Sequence, residues 1–107
     1  MARKLDAAIA KSLGKQVVER NGEWWYPGRI PSKVEQFSND GNDMLELDAE
    51  MRARGLMLMV EVYDEGYSAA YWKVYENKWT DDYDSSAMPE AVALAAYNAL
   101  SGKEWQK

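Results

Sequence analysis

The chain has no cysteine and no histidine among its 107 residues. Without either residue it cannot assemble a Ser-His-Asp or Cys-His nucleophile system, a Cys/His zinc site or a histidine acid–base pair. The missing cysteines also rule out a disulfide framework and agree with a reducing cytoplasm. No apolar run approaches the roughly 20 residues that span a bilayer; Leu56–Val60 is only a strand-sized stretch. The opening "MARKLDAAIAKSLG" lacks a sustained apolar core, so no signal peptide is expected. Phosphate-binding glycine patterns are absent too, with neither G-x-x-x-x-G-K nor G-x-G-x-x-G present.

What is present is an ordinary globular balance of 47% apolar and 29% charged residues. A chain of this length buries one core, so residues 1–107 read as a single domain. The formal charge is −5. Six carboxylates (Glu35, Asp40, Asp43, Glu46, Asp48 and Glu50) fall in a stretch without Lys or Arg, and Asp81, Asp82 and Asp84 form a second cluster. Such a surface disfavours direct nucleic-acid binding, which needs cations against phosphate. It serves either as a solvated face or as a docking surface for a basic partner. Five Trp and seven Tyr stand against one Phe. Because these rings carry a polar handle, part of this set is expected at the surface.

Local patterns give the element order. Leu5, Ile9 and Leu13 recur at i, i+4 and i+8 on a short helix that Gly14 ends. Asn21-Gly22 between "QVVER" and "EWWY" marks a type I′ hairpin. Its register sets Val18 against Trp25 and Glu19 against Trp24, so the two tryptophans point to opposite faces. Trp25 is expected in the core, with Trp24 and Tyr26 turned toward a partner. Residues 27–37 read as an irregular connector. A second helix starts in "SNDGND", with Ser38 or Asn39 as N-cap, and carries Met44, Leu47 and Met51 on one stripe. "LMLMVEVY" and "SAAYWKVYE" form two strands with no cleanly polar face, which predicts at least partial cover on both sides of the sheet. Residues 77–87 read as a polar loop, and Pro89 opens a third helix that Gly102 stops. The order α-β-β-α-β-β-α predicts an α/β (α+β) class with about four mostly antiparallel strands. A layered α/β/α sandwich is the expected architecture, with a two-layer α+β fold as the alternative.

Several segments together resemble the phage ABA sandwich domain family: "LDAAIAKSLG", "WWYPG", the P-x(5)-FSND pattern from Pro31 to Asp40, "EMRARG" and "PEAVALAAYNALSG". They span most of residues 5–102 in the family's order. Gly41 interrupts the smoother helix start that the family shows. The resemblance implies the sandwich fold and a phage or prophage origin, and it brings no catalytic residues with it.

Candidate sites follow from the residues. A calcium loop with Gly41 as its sixth-position glycine would place Gln36, Ser38 and Asp40 at its first ligand positions and Leu47 at its last, which excludes an EF-hand. Eighteen acids always offer some carboxylate pair, but none is tied to a cleft. No cofactor, metal or catalytic residue is therefore assigned, and the expectation is a non-enzymatic cytoplasmic protein that works by binding a host or phage protein. Antagonism of a host defence system, of the anti-CRISPR kind, is the leading role. Glu46, Asp48 and Glu50, with Asp81 and Asp82, would meet a basic nucleic-acid-binding complex. Trp24, Tyr26 and Arg29 are the further candidates, and they also define the alternative of a nucleotide-sequestering sponge, through stacking and a bidentate guanidinium. An accessory structural protein of the phage is a third reading. The sequence does not set the oligomeric state, and a dimer is compatible with it.

Overall fold

Helix α1 (Lys4–Ser12) forms where the apolar stripe predicts it, with Leu5, Ile9 and the following Leu13 buried. Its first turn is held by Asp6, whose Oδ2 accepts from the Arg3 N–H at 2.8 Å. Gly14 takes the left-handed conformation, φ +92°, that ends it. The structure, a computed structural model, describes residues 1–106.

The next strands, β1 (Val18–Arg20) and β2 (Glu23–Tyr26), pair in the expected register, Val18 with Trp25 and Glu19 with Trp24. Asn21 and Gly22 both have positive φ, +53° and +77°, as a type I′ turn requires. The connector after them contributes a two-residue strand, β3 (Ser32–Lys33), so the hairpin becomes a three-stranded sheet.

Helix α2 (Gly41–Ala53) buries Met44, Leu47 and Met51 as its stripe predicts. Its N-cap is Asp40, which accepts from the Asp43 N–H, rather than Ser38 or Asn39. The shift has a physical cause. Ser38 lies inside the protein, and its N–H donates to Asp6 Oδ1 at 2.8 Å, so it belongs to the core and not to the helix entry.

A four-stranded antiparallel sheet follows: β4 (Leu56–Tyr63), β5 (Gly66–Lys73), β6 (Lys78–Trp79) and β7 (Tyr83–Ser85). β4 is an edge, β5 is central, and the short β6 and β7 both pair with β5. The segment 77–87, expected as loop, thus supplies two strands. Gly66 is where β5 passes closest to β7; a Cβ there would sit 2.5 Å from the Ser85 carbonyl oxygen. Gly66→Ala is accordingly expected to destabilise the protein by about 2 kcal/mol, measured by urea denaturation. A variant within about 0.5 kcal/mol of the parent would contradict the close approach.

Helix α3 (Met88–Ser101) carries Pro89 in its first turn and ends at Gly102, φ +74°. Ala91, Val92, Ala95 and Ala96 are fully buried, and these small side chains let α3 lie close on β5. α2 packs on β4, and α1 packs on α3. Three helices with two antiparallel sheets form a compact α+β fold, consistent with an α/β sandwich. Leu56, Leu58, Val60, Ala69 and Tyr71 face the helices in this arrangement. The other face of the same sheet buries Ala70 and Ser68 but leaves Met57, Met59, Tyr63 and Trp79 exposed, so the partial cover expected there reaches only part of it.

Candidate interaction surface

Strand pairing fixes which side chains share the uncovered face, because directly opposed residues point the same way. Met57 lies opposite Trp72, Met59 opposite Ala70, Glu61 opposite Ser68, and Tyr63 opposite Gly66. β6 adds Trp79 beside Trp72, and β7 adds Asp84 beside Ser68. The Trp72 and Trp79 rings meet with centroids 5.1 Å apart at an interplanar angle of 53°. Trp79 stays 47% exposed, Met57 47%, Met59 40% and Tyr63 56%. None of the strand residues on this face is Lys or Arg, since Lys73 and Lys78 oppose one another on the helix side.

Carboxylates border the apolar centre. Met59, Glu61, Trp79, Thr80, Asp81 and Asp82 line a shallow depression of about 380 Å³. Thr80 is buried beneath it, accepting from the Tyr71 N–H and donating to the Asp81 carbonyl, and so sets where the Asp81-Asp82 turn projects. The Tyr63 hydroxyl donates to Glu61 at 2.6 Å. That hydrogen bond, followed by desolvation and then by the negative charges of Glu61, Asp84 and Asp82, pushes the Tyr63 phenol above its ordinary value. Chemically, the face can cover apolar and aromatic surface at its middle and pair cations at its edge.

The other residues singled out in the sequence are dispersed. Glu46 is exposed on α2. Asp48 accepts from the Tyr71 hydroxyl at 3.2 Å and pairs with Arg52 at 3.2 Å, which ties it to the sheet. Burial, followed by the Asp48 charge, drives the Tyr71 phenol upward. Glu50 pairs with Lys15 at 3.5 Å. The Tyr26 hydroxyl donates to Glu35, and burial followed by that bond raises its pKa. Arg29 is exposed in the β2–β3 connection.

The hairpin tryptophans reverse the expected assignment. Trp24 and Tyr26 pack against the core, with the Lys11 and Lys15 ammonium groups each 5.4 Å from their ring centroids. Trp25 lies on the opposite face under Lys33, at 5.5 Å. Alternation separates the two tryptophans but does not say which face meets α1; the packing of Val17, Trp24 and Tyr26 against the core does. The ring that does lie open on the sheet face is Trp79, packed beside the half-buried Trp72, and sequence reasoning missed both. For Trp72 and its neighbours Met57 and Met59 a signal was available in "LMLMVEVY" and "SAAYWKVYE", where apolar residues on both strand faces also describe a sheet with one exposed sticky face.

Among the described residues, no group of three or more Asp or Glu side chains is placed to hold a metal ion, and no helix is long and apolar enough to cross a membrane. No family model matches the chain. No curated protein matches it either. Among solved structures, a phage protein from Bacillus cereus is similar in fold, with a TM-score of 0.62 at 15% identity, covering 99% of this chain and 94% of that one. At that identity the likeness establishes the fold.

Proposed function

We propose that this is a phage-encoded, non-enzymatic protein that antagonises a host defence process by binding a basic host protein in the bacterial cytoplasm. The uncovered sheet face carries the proposal: exposed Met57, Met59, Tyr63 and Trp79 ringed by Glu61, Asp81, Asp82 and Asp84, with no strand cation among them. Apolar patches with aromatic anchors and a polar rim are the usual anatomy of a protein-binding site. The fold likeness to a phage protein from Bacillus cereus supports the phage origin. Relative to the sequence-based reading, the contact surface moves from α2 to the sheet, keeping Asp81 and Asp82.

Affinity capture tests this hypothesis. The immobilised full chain, exposed to lysate of the bacterial host, is expected to retain a protein of net positive charge. Raising NaCl from 0.1 M to 1 M shortens the screening length from about 10 Å to about 3 Å and should release most of it. Asp81→Lys with Asp82→Lys should abolish retention at 0.1 M. Retention that ignores both salt and the double substitution would contradict the proposal.

A further inference from the structure

β4 is an eight-residue edge strand whose outer side is bare. It pairs only with β5, and in unbroken register from Leu56–Lys73 to Tyr63–Gly66, so no bulge bends it away. Among the described residues, no turn, loop or cap hydrogen bond reaches the backbone of residues 57–63. Long apolar edges are usually blunted by Pro, Lys or a bulge. "LMLMVEVY" has none of these, and its only charge is Glu61. Apolar residues on both faces of this one strand are exposed: Met57, Met59 and Tyr63 on the open face, and Val62, 72% exposed, on the helix side.

We infer that the β4 edge pairs antiparallel with the β4 edge of a second copy of this chain, joining two four-stranded sheets into one of eight strands. The strand is self-complementary in a single register. A two-fold axis perpendicular to the sheet matches odd-numbered residues with odd and even with even, so the open faces of both copies stay on the same side. Centring that axis on Val60 sets Met57 against Tyr63, Leu58 against Val62 and Met59 against Glu61, each twice. All four exposed apolar residues then gain a cross-strand neighbour. Centring on Met59 would leave Tyr63 facing Gly55, and centring on Glu61 would set two carboxylates face to face. The paired edge would be about 27 Å long at roughly 3.4 Å per residue. A contact made through one strand edge is a small interface, and the expected dimer is micromolar rather than nanomolar. The inference does not depend on the partner proposed above; it would place two binding faces side by side on one continuous surface.

Sedimentation equilibrium from 5 to 500 µM is expected to show a monomer–dimer equilibrium with a Kd between about 1 and 100 µM. Val62→Lys should raise that Kd at least about tenfold, because it sets a cation against Leu58 of the mate at an edge that Lys ordinarily protects. Val62 is already exposed, so the far-UV spectrum and thermal midpoint should hold. The absence of native cysteine makes cross-linking specific. Val60→Cys should be captured as a covalent dimer by a short bis-maleimide, whereas Val74→Cys, exposed beyond the end of β5, should not. A monomer at 500 µM, or a dimer that survives Val62→Lys, would overturn the inference. Failure of Val60→Cys to cross-link in a dimer that Val62→Lys dissociates would overturn the register.

Discussion

Asp6→Ala is expected to lower the thermal midpoint by about 15 °C, the largest effect of any single truncation of a polar side chain in this protein. Asp6 is fully buried and does two jobs with one carboxylate. Oδ2 accepts from Arg3 N–H at the start of α1, and Oδ1 accepts from Ser38 N–H, 32 residues further on, both at 2.8 Å. Alanine leaves both donors without their partner. An unpaired buried donor costs about 1–3 kcal/mol, so the two together with the lost cap amount to about 3 kcal/mol. In a domain of this size each kcal/mol moves the midpoint by about 4–6 °C.

The same residue gives a pH dependence with a definite sign. Burial pushes the Asp6 carboxyl above its ordinary value of 3.8, outweighing the hydrogen bonds from Arg3 and Ser38 that pull it down. The folded state therefore holds this proton to higher pH than the unfolded chain does. Its contribution is fully present below pH 3.8 and is lost as pH rises through the raised folded value. The stability difference between the parent and Asp6→Ala should thus be largest at and below pH 3.8 and shrink on the alkaline side, the reverse of an ordinary salt-bridged aspartate. Urea denaturation of both proteins across that interval measures it. A difference that grows with pH would mean the carboxylate is stabilised in its charged form.

Trp79→Ala is expected to weaken the partner complex by about 30-fold or more while leaving the fold intact. An aromatic anchor typically contributes about 2 kcal/mol or more to an interface when truncated. Trp79, on the outer strand β6, lies beside Trp72 on the open face, half exposed and next to the Asp81-Asp82 turn. In the free protein the substitution loses one tilted ring contact, about 0.5–1.5 kcal/mol. The thermal midpoint should therefore fall by only a few degrees. Calorimetric titration against the captured partner, paired with a melting curve, separates the two effects. Trp25→Ala, on the far side of the small sheet, serves as the aromatic control and should bind within about twofold of the parent.

Local chemistry made much of this fold legible. Asn21-Gly22 specified the hairpin register, Gly14 and Gly102 marked helix ends, and the stripes of α1 and α2 named Leu5, Ile9, Leu47 and Met51 as core. What escaped the sequence depends on residues far apart. Ser38 is a plausible N-cap by local rules until Asp6 draws its N–H inward. β6 and β7 are two and three residues long and exist because β5 offers them an edge, not because their own residues favour strand. The candidate surface was half legible. Asp81 and Asp82 stood out as charges, but Met57, Met59 and Trp72 read as at least partly covered, because alternation shows that a strand has two faces without saying which one a helix covers, and Trp79 fell in a segment read as a polar loop. The acids of α2 stood out equally, yet the fold spends Asp48 on Tyr71 and Arg52 and Glu50 on Lys15.

Binding of the captured partner to three forms of the full chain distinguishes the sheet face from the α2 acids in one titration series. The forms are the parent, the sheet-face variant Trp79→Ala/Asp81→Lys/Asp82→Lys, and the α2 variant Glu46→Lys/Glu50→Lys. The account predicts a loss of at least about 100-fold for the sheet-face variant, since an anchor and two rim charges go together. It predicts a change within about threefold for the α2 variant, whose charges are screened surface groups. The opposite order, with α2 reversal abolishing binding and the sheet-face variant binding as the parent does, would contradict it.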